Sequence, residues 1–90
     1  MKKEKLIPLE HSRLRDVMER NDANGERVPF SISYVAQNGA VINIEQPVMV
    51  CIKPDVRHRR HLIKSIVSDE VRWVRDCLVL RVNNSIIEIR

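Results

Sequence analysis

The last fourteen residues, Cys77–Arg90 (CLVLRVNNSIIEIR), constrain the fold more than any other stretch. Apolar residues alternate on both sides of Asn83-Asn84, and asparagine is, after glycine, the residue most tolerant of the positive φ that a two-residue primed turn demands. Such a turn pairs Val82 with Ser85, Leu80 with Ile87 and Leu78 with Ile89. Leu78, Leu80, Val82, Ile87 and Ile89 then share one face, with Val79, Arg81 and Glu88 on the other. Turn chemistry and alternation agree on this register.

Ninety residues make one small domain, and an apolar content of 43% beside 31% charge excludes both a disordered chain and a membrane span. The start, Met1–Leu9, is basic, but Pro8 breaks its apolar run and Glu10 and His11 follow, so a secretory signal is not expected. Two well-separated cysteines, Cys51 and Cys77, point to buried thiols in a reducing, cytoplasmic setting. The net charge of +4 is compatible with a polyanionic partner without requiring one.

Along the chain, residues 1–10 read as an arm or edge segment. Ser12 is placed to cap a short helix over residues 12–20, with Leu14, Val17 and Met18 as its buried stripe, and Asn21–Gly25 ends it. The β-rich body fills residues 28–90. Val28, Phe30, Ile32 and Tyr34 alternate with Pro29, Ser31 and Ser33, which describes a half-buried strand entered at Pro29. Asn38-Gly39 marks the next turn. A three-residue loop, Gln37–Gly39, sets Tyr34 against Ile42 and Ile32 against Ile44, with Gly39 in the left-handed region; a two-residue loop would mix core with surface.

Pro47–Ile52 is continuously apolar, as for a strand covered on both faces, and Lys53–Asp55 is expected to turn the chain. Residues 56–76 could be helix or strand. Their β-branched content favours a strand near His61–Val67, a turn at Ser68–Glu70 and a strand over Val71–Arg75. The expected fold is mainly β (α+β): a small antiparallel sheet or open barrel of five to seven short strands with one N-terminal helix.

The sharpest local feature is Val56–His61 (VRHRRH), with Lys64, Arg72 and Arg75 further on. A solvated loop or strand end is expected here. Arg57, Arg59, Arg60, Lys64, Arg72 and Arg75 are candidate contacts to nucleic acid or another anion, because guanidinium groups fork onto phosphate oxygens. The competing reading is an exposed basic edge that discourages sheet-to-sheet aggregation. Trp73, flanked by arginines, is read first as a packed side chain and otherwise as the anchor for a base or a protein partner, whereas Phe30 and Tyr34 belong to the core.

His58 and His61 lack a third ligand at metal-binding spacing, and no nucleophile, acid/base pair or glycine-rich phosphate loop is recognisable, so neither a metal, a cofactor nor catalysis is expected. A pocket joining His58 or His61 to Asp55, Asp69 or Glu70 would reopen the enzyme class.

Pro29–Val35, the Asn38-Gly39 hairpin and Val71–Asn84, spread over the last two-thirds of the chain, resemble small uncharacterised proteins of bacterial phage-type mobile elements. The basic run around His58–His61 has no counterpart in that group. The resemblance implies an element-encoded accessory or structural role. Two functions follow as expectations: a non-catalytic module that holds a protein partner or a second copy of itself through the sheet flank around Trp73, or a basic β-domain contacting nucleic acid. The direction in which Trp73 points discriminates them.

Overall fold

The computed structural model describes residues 7–88. Seven strands and one short helix build a mainly β fold: β1 (Ile7–Glu10), a 3-10 turn (His11–Arg13), α1 (Leu14–Met18), β2 (Phe30–Val35), β3 (Val41–Asp55), β4 (Arg60–Ser65), β5 (Val71–Arg75), a second 3-10 turn (Asp76–Leu78), β6 (Val79–Val82) and β7 (Ser85–Glu88). They form one sheet in the order β1-β7-β6-β2-β3-β4-β5, not closed into a barrel. All neighbours are antiparallel except β1 and β7, which are parallel, so the sheet is mixed and not purely antiparallel as expected. A hairpin forces antiparallel pairing; β1 and β7 are joined by the whole intervening chain, which leaves the direction free.

The core lies on one face, where Phe30, Ile32, Tyr34, Met49, Cys51, Ile63, Val74, Val79 and Val82 meet Leu14 and Met18 of α1. Helix α1 is shorter than expected. It starts at Leu14, because Ser12 falls inside the 3-10 turn and makes no cap, and it stops at Met18. Gly25 does take the left-handed conformation (φ 79°), but in the following loop, whose ends are held by an Asn21–Arg27 bridge.

Strand β2 begins directly after Pro29, and the Gln37–Gly39 turn has the register read from the sequence: Ile32 opposite Ile44, Tyr34 opposite Ile42. The Ala36 N–H bonds the Ala40 carbonyl at 2.8 Å, and Gly39 sits at φ 84°. A Cβ at Gly39 would meet nothing within 4 Å, so only the backbone opposes a side chain there. Gly39→Val is therefore expected to cost about 1–2 kcal/mol; an unchanged melting temperature would contradict this turn.

Ser31 and Ser33, on the other face of β2, are also buried. The reason is Arg81, whose guanidinium lies across this central strand and donates to Ser31 Oγ (3.0 Å), Ser33 Oγ (3.3 Å), Asn43 Oδ1 (3.2 Å) and the Ile44 carbonyl (3.3 Å). Each buried hydroxyl thereby has a partner, which is what allows polar residues there.

Strand β3 corrects two expectations. Pro47–Ile52 is not a separate strand covered on both faces but the middle of a fifteen-residue strand, whose first part pairs with β2 and second with β4. Pairing jumps from Ile44 opposite Ile32 to Met49 opposite Phe30. The chain bulges over the intervening residues, and Pro47, which has no N–H to give a ladder, fits only at such a break. A second break leaves Ile52 out of the pairing with β4 and exposed. The turn comes later than Lys53–Asp55, at Val56–Arg59.

The strand–turn–strand reading of residues 60–75 holds, except that β4 ends at Ser65 and Ile66 and Val67 enter the turn, exposed. In the C-terminal hairpin, Val82 pairs with Ser85 and Arg81 with Ile86 across Asn83-Asn84, in the expected register. Asn83 takes φ 51°, and its side chain accepts from Ser31 N–H (3.0 Å), so β2 anchors the turn. The alternation fails further back. Leu78 lies in a 3-10 turn, Leu80 is 44% exposed and Val79 is buried. A bulge explains this: Ser33 pairs with Arg81 but Tyr34 pairs with Val79, so Leu80 is skipped and the faces exchange. Ile89 lies outside the described residues. Cys51 is buried as expected, but Cys77 is exposed, and both are free thiols.

Candidate nucleic-acid interface

The register of β3, β4 and β5 decides which basic residues meet. Asp55 pairs with Arg60 and Arg60 with Arg75; Lys53 pairs with Leu62 and Leu62 with Trp73; Val50 pairs with Lys64 and Lys64 with Val71. Residues directly opposite share a face, so these three rows form one surface. It is the face away from the core, because the alternate positions His61, Ile63 and Val74 are buried. Trp73 stands in its middle row, 43% exposed, with the Arg60 guanidinium 4.1 Å from its ring centroid.

The turn Val56–Arg59 extends this surface and presents Arg57, His58 and Arg59 to solvent. Asp55 shapes it. One carboxylate oxygen accepts from the His58 N–H (3.3 Å); the other meets His58 Nδ1 and Arg60 Nε, both at 2.9 Å. The bonds from Arg60 and then His58 hold the Asp55 carboxyl down to about 2, so it stays charged and keeps Arg60 over Trp73.

Most of the basic residues singled out from the sequence are brought together here. Arg60 pairs with Asp55, and Lys64 reaches Asp69 at 3.3 Å. Lys53, Arg57, Arg59 and Arg75 make no ion pair among the described residues. Arg72 is the exception to the grouping. It lies opposite buried Ile63, hence on the other face, where it pairs with Glu70 at 3.0 Å. Lys53 belongs to the surface but was missed by sequence reading, which assigned it to a turn; its basic charge alone carried no signal.

His61 corrects the expectation of a fully solvated basic run. It is 1% exposed, with Nδ1 2.6 Å from Asp76 Oδ1 and Nε2 2.9 Å from Glu19 Oε2. Glu19 in turn accepts from Arg15 Nε at 2.8 Å. Burial opposes charge on the imidazole, but Asp76 and Glu19 outweigh it and raise its pKa. The Arg15 hydrogen bond, joined by His61 against some burial, lowers that of Glu19. Both ring nitrogens are occupied by carboxylates, so this is a clasp tying the end of α1 to β4 and the second 3-10 turn. Neither nitrogen is left to exchange a proton with a substrate.

The structure contains a pocket of the kind that would reopen the enzyme class: a cavity of about 240 Å³ is lined by both Asp55 and His61, with Ser12, Arg15 and Asp76 beside them. The His58–Asp55 contact, by contrast, lies on the surface. No cluster of three or more histidine, cysteine, aspartate or glutamate side chains suited to a metal occurs among the described residues. No described helix is long and apolar enough to cross a membrane. Comparisons with family models, curated proteins and solved structures find no match to this chain.

Proposed function

We propose that the protein is a non-catalytic binding module that holds a single-stranded nucleic acid on the outer face of β3, β4 and β5. The observation that carries this reading is that Trp73 lies outward on the surface shared by Lys53, Arg60, Lys64 and Arg75. Unpaired bases stack on an exposed ring and on guanidinium planes, and flanking cations neutralise phosphates. An open strand face suits an extended backbone and leaves duplex grooves unread. The Arg57–Arg59 turn supplies further phosphate contacts at the end of the middle row. A reducing, cytoplasmic setting suits the two free thiols, and an element-encoded accessory role is in keeping with a small binding module.

Fluorescence anisotropy of a labelled oligouridylate across a salt series tests the reading. Four phosphate contacts give a log–log salt slope of about −2.8, and Lys53→Ala with Arg75→Ala should reduce its magnitude by about 1.4. Trp73→Ala should weaken binding by about tenfold or more through lost stacking. No binding at low salt, or variants that bind like the parent, would overturn the proposal.

A further inference from the structure

A second site adjoins the proposed nucleic-acid surface at the free edge of β5 and shares Arg60 and Trp73 with it. In the sheet order β5 is terminal, so one side of its backbone has no strand partner among the described residues. The ladder shows which groups face out. Ser65 N–H bonds the Glu70 carbonyl and Asp76 N–H bonds the Arg59 carbonyl, both at 2.9 Å. Antiparallel hydrogen-bonded pairs recur every second residue, so Arg72 and Val74 bond to β4 while the amides of Val71, Trp73 and Arg75 point to the open edge. The Val71 carbonyl is covered only by the side chain of Arg72 (2.9 Å).

This edge borders a cleft of about 870 Å³. Val71, Arg72 and Trp73 line one side, and Tyr34, Ile42 and Ile44 of the β2–β3 hairpin line the other. An unpaired strand edge facing an apolar wall is the arrangement that captures an extended peptide by strand addition. We infer that the cleft takes a segment of another protein, five or six residues long, alternating apolar and acidic.

The alternation follows from the register. The peptide residue opposite Arg72 faces inward, toward Tyr34, Ile42 and Ile44 of the cleft, and the one opposite Val74 lies beside buried Val74; both are apolar. Those opposite Val71, Trp73 and Arg75 face outward among Arg60, Lys64 and Arg75, and are acidic. The same charges select against a second copy, because an antiparallel pairing of two β5 edges would set one basic outer face beside another. At the opposite end of the sheet, β1 carries Pro8, which lacks the N–H that strand addition uses.

The test titrates capped synthetic hexapeptides of valine and glutamate, alternating or in two blocks, into the protein and follows fluorescence of Trp73, its single tryptophan. Nucleic acid is absent, so the result stands apart from oligonucleotide binding. Two variants separate backbone from charge. Arg75→Pro removes an edge donor where φ is already −76°, a value proline adopts; Arg75→Ala removes only the charge. The alternating peptide should bind saturably and the block peptide about tenfold more weakly, and Arg75→Pro should lose about a further tenfold relative to Arg75→Ala at an unchanged melting temperature. Three results would overturn the inference: no fluorescence change with the alternating peptide, equal binding of both peptides, or a dimer in sedimentation that Arg75→Pro alone dissolves, which would place a second copy on the edge.

Discussion

His61→Leu is expected to lower stability by about 3 kcal/mol, the lower end of the range for breaking a buried ion pair by removing one partner. Leucine fills much of the imidazole's space, so the loss is electrostatic. Asp76 and Glu19 each lose a charge-assisted hydrogen bond while their side chains remain only 12% and 18% exposed. In a domain of this size the change corresponds to a fall in Tm of about 15 °C.

The pH dependence identifies the cause. His61 has a folded pKa raised above its ordinary 6.5, so its contribution is complete below that value and is lost as pH rises through the folded pKa. Glu19 is lowered from its ordinary 4.5, so its contribution is complete above that value and is lost as pH falls through the folded pKa. Stability should therefore peak between the two, at about pH 5–6, and decline on the alkaline side. Thermal melts across pH should show that alkaline decline in the parent and not in His61→Leu. A variant that melts with the parent, or keeps its alkaline limb, would show that the clasp contributes nothing.

Phe30→Ala should have a comparable or larger effect, about 4 kcal/mol. Phe30 is 1% exposed and sits at the first paired residue of β2, opposite Met49, where β3 resumes pairing after its bulge. The ring thus fills the core at the point where β3 passes from one partner strand to the other. The bend is set by backbone pairing and cannot close over a cavity, so the space should persist. Urea unfolding should give a lower midpoint with an unchanged slope; a loss under 1 kcal/mol would mean that the core collapses around the deletion.

These positions show what the residue order made legible. Turns and alternation are local, and the Gly39 hairpin and the Asn83-Asn84 turn came out in register because a two-residue repeat and one special φ suffice to set them. Bulges are not local. Nothing in LVLRV announces that Leu80 is skipped; the bulge arises where β6 meets a β2 whose outer face is held by Arg81. The fifteen-residue course of β3 was hidden for the same reason, since Pro47 reads as a boundary until a bulge accommodates it.

The site was half legible. Charge singled out Arg60, Lys64, Arg72 and Arg75 as candidates with Trp73 among them, but only the β4–β5 register puts Arg60, Lys64, Trp73 and Arg75 on one face and Arg72 on the other. His61 looked like one more member of a solvated run. Its partners, Glu19 and Asp76, lie 42 and 15 residues away, so only the folded chain reveals it.

The most direct measurement is an amide and indole NMR map of the protein titrated with a short oligouridylate at low salt. Shifts should concentrate on the Trp73 indole N–H, on Lys53, Leu62, Lys64 and Arg75, and on the Arg57–Arg59 turn, leaving Val35, Val41 and Leu80 unmoved. Shifts spread evenly over the basic residues of both faces, Arg72 and Arg81 included, or a Trp73 indole that does not respond, would contradict the assignment of the outer face of β3, β4 and β5 as the binding surface.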